Sequence, residues 1–200
     1  MGTAPAEDYA PIVRAWDFSE ATVVADLGGG GGSLLLAALE LNSHLRGMLV
    51  DREASIDAAK SRFADENLSS RCELLVADLT QSVPAGADVY MLKHVLHGYQ
   101  DGDAITVLKN CRTVIPQNGH LLVIEFVLPP LVSHADPQLE GRLTSDLNML
   151  AVTGGRERSE REWRKLLEAA GFTLTRLYPV GGDNWMVRNV GIVEARPVPA

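Results

Sequence analysis

Short runs rich in β-branched and apolar residues alternate along the chain with longer stretches whose apolar positions recur every three or four residues. The short runs predict strands over about 22–26, 47–51, 73–77, 88–92 and 120–126, and the longer ones predict helices over about 32–42, 54–66 and 102–114. Strand, helix, strand in repetition builds a parallel sheet from βαβ units, so the fold class is α/β. Beyond Leu128, Pro129 and Pro130 open a loop to about residue 138, followed by helices near 139–152 and 160–170. Ser159 and Glu162 form a capping box at the start of the last helix, and Gly171 can supply the left-handed residue that ends it. Two final alternating runs, Phe172 to Val180 and Met186 to Glu194, flank Gly181-Gly182 and are expected to pair antiparallel at the sheet edge.

Composition narrows the classes of function. The 200 residues suit one domain, and no apolar run approaches the ~20 residues of a membrane helix. A net charge of −8 without a Lys/Arg cluster excludes the usual footprint for nucleic acid and favours small-molecule chemistry. Cys72 and Cys111 have neither metal-ligand spacing nor a second pair, and the opening MGTAPAEDY lacks a basic or apolar signal segment, so a cytoplasmic protein with reduced thiols is expected.

The stretch VVADLGGGGGSLLLAALEL places five glycines between the first strand and first helix, where a ligand can approach bare backbone and a helix N-terminus. The dinucleotide spacing G-x-G-x-x-G fails, because its third glycine falls on Ser33 or Leu34. An acidic residue followed by G-x-G-x-G is met by Asp26, Gly28, Gly30 and Gly32, and this resembles the first motif of S-adenosylmethionine-dependent methyltransferases. Asp51 ends the second strand, 23 residues after Gly28, where a carboxylate can take both ribose hydroxyls. Asp78, with Leu79 beside it, follows the third strand at a place suited to the adenine amine. The plainer alternative is a glycine turn that merely packs, with strand-end aspartates capping helices.

The second half is more specific. LKHVLHGYQDGDAITVLKNCRTVIP, VIEFVLPP and DLNMLAVTGGRERSEREW resemble the catalytic half of the small-molecule O-methyltransferases of plants and of bacterial secondary metabolism, a likeness that runs over about residues 18 to 197. It implies a Rossmann-like class I methyltransferase fold: a mostly parallel seven-stranded sheet with an antiparallel edge hairpin and helices on both faces, over residues 21–200 behind a short segment 1–20. It implies S-adenosylmethionine as cofactor and an aromatic hydroxyl as acceptor. His97 falls on the family's catalytic histidine, and Glu125 and Glu157 fall on its two supporting glutamates. Lys93 and Tyr99 match cofactor-contacting positions, the latter usually tryptophan, while Asp146, Asn148 and Met149 match positions lining the acceptor pocket.

The residue types suit the chemistry. A phenol of pKa near ~10 is a poor nucleophile at neutral pH, so a neutral imidazole within reach takes its proton as the oxygen attacks the methyl group. A carboxylate on the other ring nitrogen fixes the tautomer and stabilises the imidazolium. This scheme requires no metal. His94, three residues before His97, is read as a pocket-wall or structural residue because a two-histidine metal site lacks a nearby third ligand in the sequence. Glu157 has a plainer reading as one more charge in the solvated run from Arg156 to Arg161, and Leu143, Leu147 and Leu150 have one as ordinary core packing.

Three positions depart from the family pattern. Gly98 replaces an aspartate after the catalytic histidine, and Gly31 replaces a threonine in the glycine motif. The largest departure is at the front: the resemblance implies about 130 to 150 mainly helical residues ahead of this domain, against roughly 20 here. The chain is then a catalytic domain cut from a longer protein, a natural short form, or a form with an open acceptor site, and a second copy or a partner protein is expected to cover that site. Methyl transfer to a phenolic hydroxyl is the leading expectation. The alternatives are a cofactor-binding homologue with non-methylating chemistry and a non-catalytic subunit that activates a full-length partner.

Overall fold

A computed structural model describes residues 5–65, 68–129, 139–181, 187 and 189–199. The first half alternates β1 (Val23–Leu27), α2 (Ser33–Leu41), β2 (Arg46–Asp51), α3 (Glu53–Asp65), β3 (Cys72–Val76), β4 (Val89–Lys93), α4 (Asp101–Val114) and β5 (His120–Leu128). Ahead of β1 stands a short helix, α1 (Ala10–Arg14), whose Ile12 and Val13 enter the core. After β5 come α5 (Leu139–Val152), β6 (Arg158–Ser159), α6 (Glu160–Ala169), β7 (Phe172–Pro179) and β8 (Val190–Pro197).

The sheet runs β3-β2-β1-β4-β5-β8-β7, with β6 pairing β5 beside this path. The first five strands are parallel, and β8 lies antiparallel between β5 and β7. Central strands are buried on both faces, which is why VVADL and RGMLVD read as continuous apolar runs rather than alternating ones. One face is closed by α1, α2 and α3, and the other by α4 and α6, in two separate hydrophobic clusters. Helix α2 is apolar all round and buried from Ser33 to Leu39, and it packs so close that a Cβ at Gly47 would stand 2.9 Å from Leu35 Cδ1.

Helix α6 buries Trp163, Leu166 and Leu167 on one stripe. Glu162 Oε2 accepts the Ser159 amide at 2.9 Å and its hydroxyl at 2.7 Å, and Gly171, at φ +82°, ends the helix region as expected.

The last strand differs from expectation. It runs from Val190 to Pro197 rather than from Met186 to Glu194, while its antiparallel pairing with β7 at the sheet edge is as expected, its other side bonding β5. Glu194 lies inside it because Trp16, His120 and Tyr178 all bond its carboxylate, which lets a charged residue sit 7% exposed within a strand. Met186 and Gly182 lie outside the described residues. The short β6 had no counterpart in the sequence reading, since two residues carry no periodicity.

Candidate active site

Gly28, Gly30 and Gly32 take φ of +68°, +57° and +75°, which other residues rarely adopt, so the glycine spacing reflects backbone conformation. A Cβ on Gly29 would collide with the Asp26 carboxylate. Gly31 is outside the left-handed set, so the absence of a side chain there adds freedom without a conformational need. The loop is closed by Asp51, whose Oδ2 accepts the Gly30 amide at 2.7 Å and whose Oδ1 accepts the Arg52 amide at 2.6 Å.

Beside the loop opens a cavity of about 470 Å³ lined by Gly28, Asp51, Asp78, Leu79, His94 and Tyr99, among others. It lies at the C-terminal ends of the parallel strands, where open α/β sheets bind ligands. A groove of about 600 Å³ by Trp16, Leu41 and Tyr178 lies instead at the C-terminal end of α2. Five of the expected cofactor residues, Gly28, Asp51, Asp78, Leu79 and Tyr99, thus meet in one cavity.

Asp26 and Lys93 lie deeper. Asp26 is 1% exposed, neither carboxylate oxygen has a hydrogen-bond partner of good geometry, and burial pushes its carboxyl up to about 7 against the pull of Lys93. Burial likewise lowers Lys93, opposed by Asp26 and Glu125, and its ammonium stands 5.0 Å from the centroid of the Tyr9 ring. Tyr9 carried no signal in the sequence beyond being aromatic.

His97 occupies a single 3₁₀ turn, Leu96–Gly98, directly after β4. Glu125, fully buried on β5, holds that turn from below: its Oε1 accepts the amides of Val95, Leu96 and His97 at 3.0, 3.0 and 3.2 Å. Its Oε2 stands 3.4 Å from His97 Nδ1 and 3.2 Å from His94 Nδ1. Glu157, 2% exposed, reaches the same His97 Nδ1 at 3.0 Å, and Ser145 donates to its Oε1 at 2.7 Å. Two carboxylates therefore face one ring nitrogen, which leaves Nε2 as the atom with a free lone pair. Burial works against charge on the His97 ring, but the Glu157 hydrogen bond and the Glu125 charge outweigh it and hold the imidazole above its ordinary pKa. Glu125 is lowered: burial favours its acid form, and the His94 bond and the His97 charge overcome that.

His94 has φ +53°, donates its amide to Ile124 O at 3.1 Å and stacks on the His97 ring at 5.2 Å between centroids. The sequence set His94 aside as a metal ligand for want of a third group, and the structure removes that reason. Ligand atoms of His94, His97 and Glu125 lie within 4.8 Å of one another. In the structure those atoms are engaged in the hydrogen bonds just described.

The three acceptor-side residues separate. Asp146 joins the cluster, its Oδ1 accepting the Glu157 amide at 2.8 Å. Met149 is buried, whereas Asn148 is exposed on α5. Leu147 and Leu150 are 67% and 63% exposed, so the core-packing alternative for this helix does not hold. Arg158 and Gly155 were missed. Arg158 sits inside a run of charges that reads as solvated, yet its side chain is fully buried.

A mostly parallel sheet with an antiparallel β8, a glycine loop after β1 and acidic residues after β2 and β3 defines the class I methyltransferase type of fold. Residues 9–173 match the family model described as an O-methyltransferase domain, and the chain belongs to that family. It is 36% identical over 196 residues to the mitomycin biosynthesis 6-O-methyltransferase of Streptomyces lavendulae, covering 98% of this chain and 53% of that protein. It is also 36% identical over 171 residues to the aclacinomycin 10-hydroxylase RdmB of Streptomyces purpurascens, covering 83% of this chain and 44% of that protein. The crystal structure of NcsB1, an O-methyltransferase from neocarzinostatin biosynthesis in complex with S-adenosylmethionine and 2-hydroxy-5-methyl naphthoic acid, superposes with a TM-score of 0.82 at 33% identity, over 94% of this chain and 52% of that one. The chain spans about half the length of the relatives it matches.

Proposed function

We propose that the domain at residues 21–200 transfers a methyl group from S-adenosylmethionine to a phenolic hydroxyl of an aromatic small molecule, with His97 as general base. The observation that carries this reading is the buried His97, its Nδ1 held between Glu157 and Glu125 beside a cavity that gathers Asp51 and Asp78. The cavity suits the cofactor: a glycine loop leaves room for backbone approach, Asp51 offers a carboxylate to the ribose diol, and Asp78 and Leu79 stand at the adenine end. Lys93 and the orphaned Asp26 carboxylate, deeper than the cavity lining, are assigned in this reading to the amino-acid end, where charged groups of a bound zwitterion would supply partners. When bound, S-adenosylmethionine supplies a methyl group already activated by the sulfonium.

The chain's own groups then do the rest. His97 Nε2 accepts the phenol proton, the Nδ1–H remains on Glu157, and the two carboxylates stabilise the resulting imidazolium. Ser145 and Asp146 hold Glu157 in place from α5, the helix that carries the acceptor-side positions. A cytoplasmic location belongs to the same reading; among the described residues no helix is long and apolar enough to cross a membrane.

Incubation of the purified chain with methyl-labelled S-adenosylmethionine and a panel of phenols should give labelled ethers. Transfer to none of them, with cofactor binding intact, would favour the second reading, a homologue that binds the cofactor for other chemistry. The relative named as a 10-hydroxylase is the observation behind that alternative.

The strip formed by Leu147, Leu150 and Val152, the last 72% exposed, is apolar surface on the acceptor side. A second copy of the chain is the expected cover. Light scattering should find wild type associated, and Leu147→Glu with Leu150→Lys should move it toward monomer; a monomeric wild type would assign the cover to a different partner.

A further inference from the structure

The geometry points to Arg158 as a positioning residue that locks the His97 turn to the Glu157 loop, so that the imidazole keeps its carboxylate partner throughout the reaction. The inference rests on the reading of His97 as base, but its evidence is separate. Arg158 Nη1 donates to Leu96 O at 2.9 Å and Nη2 to Tyr99 O at 2.8 Å, the carbonyls on either side of His97-Gly98. Nε and Nη2 donate to Asp101 Oδ1 at 3.1 and 2.9 Å, just beyond the same turn. The His97 carbonyl is taken by the Arg156 amide at 2.8 Å. A Cβ at Gly155 would collide with that carbonyl. Residues 155–158 therefore lie directly against the turn, and Glu157 projects from their middle onto His97 Nδ1. The main chain of Arg158 pairs with Val127, two residues beyond Glu125 on β5. One residue, by its side chain toward the His97 turn and by its main chain toward β5, thus ties together the three segments that carry His97, Glu125 and Glu157.

The plainer reading is a buried ion pair that holds the fold together. Burying a guanidinium costs several kcal/mol before its partners offset it, and such a pair is often no more stabilising than well-packed apolar residues. What distinguishes Arg158 is where its five hydrogen bonds go: two flank the base, two fix the entry to α4, and the fifth holds Arg156 O at 3.3 Å in the Glu157 loop. Lysine offers three donors from one point and no planar fork, so it cannot reproduce this set.

The test compares the full chain with Arg158→Lys and with Asp101→Asn, which removes the charge that orients Arg158 from a half-exposed site. Circular dichroism and calorimetric S-adenosylmethionine affinity should stay near wild type, while turnover on a weakly acidic phenol falls about tenfold or more at neutral pH. The acid limb of the rate profile should move down by about one pH unit, as should the His97 titration followed by NMR of labelled imidazole. A strongly acidic, already ionised phenol should recover most of the loss. Unchanged His97 titration in both variants, with rate and melting temperature falling together on both phenols, would make Arg158 a structural ion pair and overturn the proposal. If Arg158→Lys does not fold, the same readouts on Asp101→Asn decide. If wild type transfers no methyl group at all, the base reading falls, and the His97 titration still decides whether Arg158 places the ring.

Discussion

His97→Ala should reduce methyl transfer to a weakly acidic phenol by about 10²–10⁴-fold at neutral pH, with S-adenosylmethionine affinity nearly unchanged. His97 has its Nδ1 fixed by carboxylates, and in the proposed role its contribution lies in the proton that Nε2 accepts rather than in binding. The sign of the pH dependence follows from the environment. A general base must be neutral, so the wild-type rate falls as pH drops through the His97 pKa, and Glu157 and Glu125 together hold that pKa above the ordinary 6.5 despite burial. Glu157→Gln should therefore move the limb to lower pH. A strongly acidic phenol arrives ionised, and for it the alanine variant should regain most of its rate. Turnover against pH on both phenols, for both proteins, provides the check; full activity of His97→Ala on the weakly acidic phenol would leave positioning alone to carry the reaction.

Glu125→Ala should be the most destabilising single change at the site. Its Oε1 is the acceptor for three consecutive backbone amides, and its Oε2 stands between two imidazoles. Removing it leaves three buried donors without that acceptor, each costing about 1–3 kcal/mol before relaxation, so a total of about 3–5 kcal/mol is expected. For a domain of this size that is a fall in melting temperature on the order of 10 °C. Glu125→Gln keeps an acceptor oxygen and should cost much less stability, while presenting an NH₂ group or losing the charge beside His97 should still cost rate. The carboxyl is lowered below its ordinary 4.5 by His94 and His97 against the effect of burial, so its stabilisation is present above that pH and is lost as pH falls through the lowered value. The gap between wild type and Glu125→Ala should accordingly narrow in acid. Calorimetric melts across pH would show it; equal stability of the two proteins at neutral pH would mean the amides find other acceptors.

Much of this arrangement was legible in the sequence because the signals were periodic or conformational. Central strands buried on both faces wrote themselves as apolar runs, and three of the loop glycines sit where φ is positive. His97, Glu125 and Glu157 came together as the family resemblance implied, although 60 residues separate the histidine from its partner Glu157. What stayed hidden depends on contacts that periodicity does not encode. Arg158 looks solvated until its donors are seen around the His97 turn, and Leu147 and Leu150 look like core because a helical stripe does not say whether anything packs on it. The end of β8 was misjudged because a buried glutamate inside a strand makes sense only with Trp16, His120 and Tyr178 already beside it.

The place of β8 in the sheet bears on how the chain reaches its fold. It follows β7 in sequence and is the last strand among the described residues, yet it is inserted between β5 and β7, pairing Glu125 with Gly191 and Phe126 with Val190. While the polypeptide is still being synthesised, the strand that carries Glu125 has a bare flank, open to wrong pairings, until the residues from Val190 onward emerge. Contacts of such long sequence separation form late because the intervening loop must first be closed. Completion of the support around His97, Glu125 and Glu157 thereby waits for residues 190–197, and a nascent chain halted before Val190 would hold those three segments without that strand.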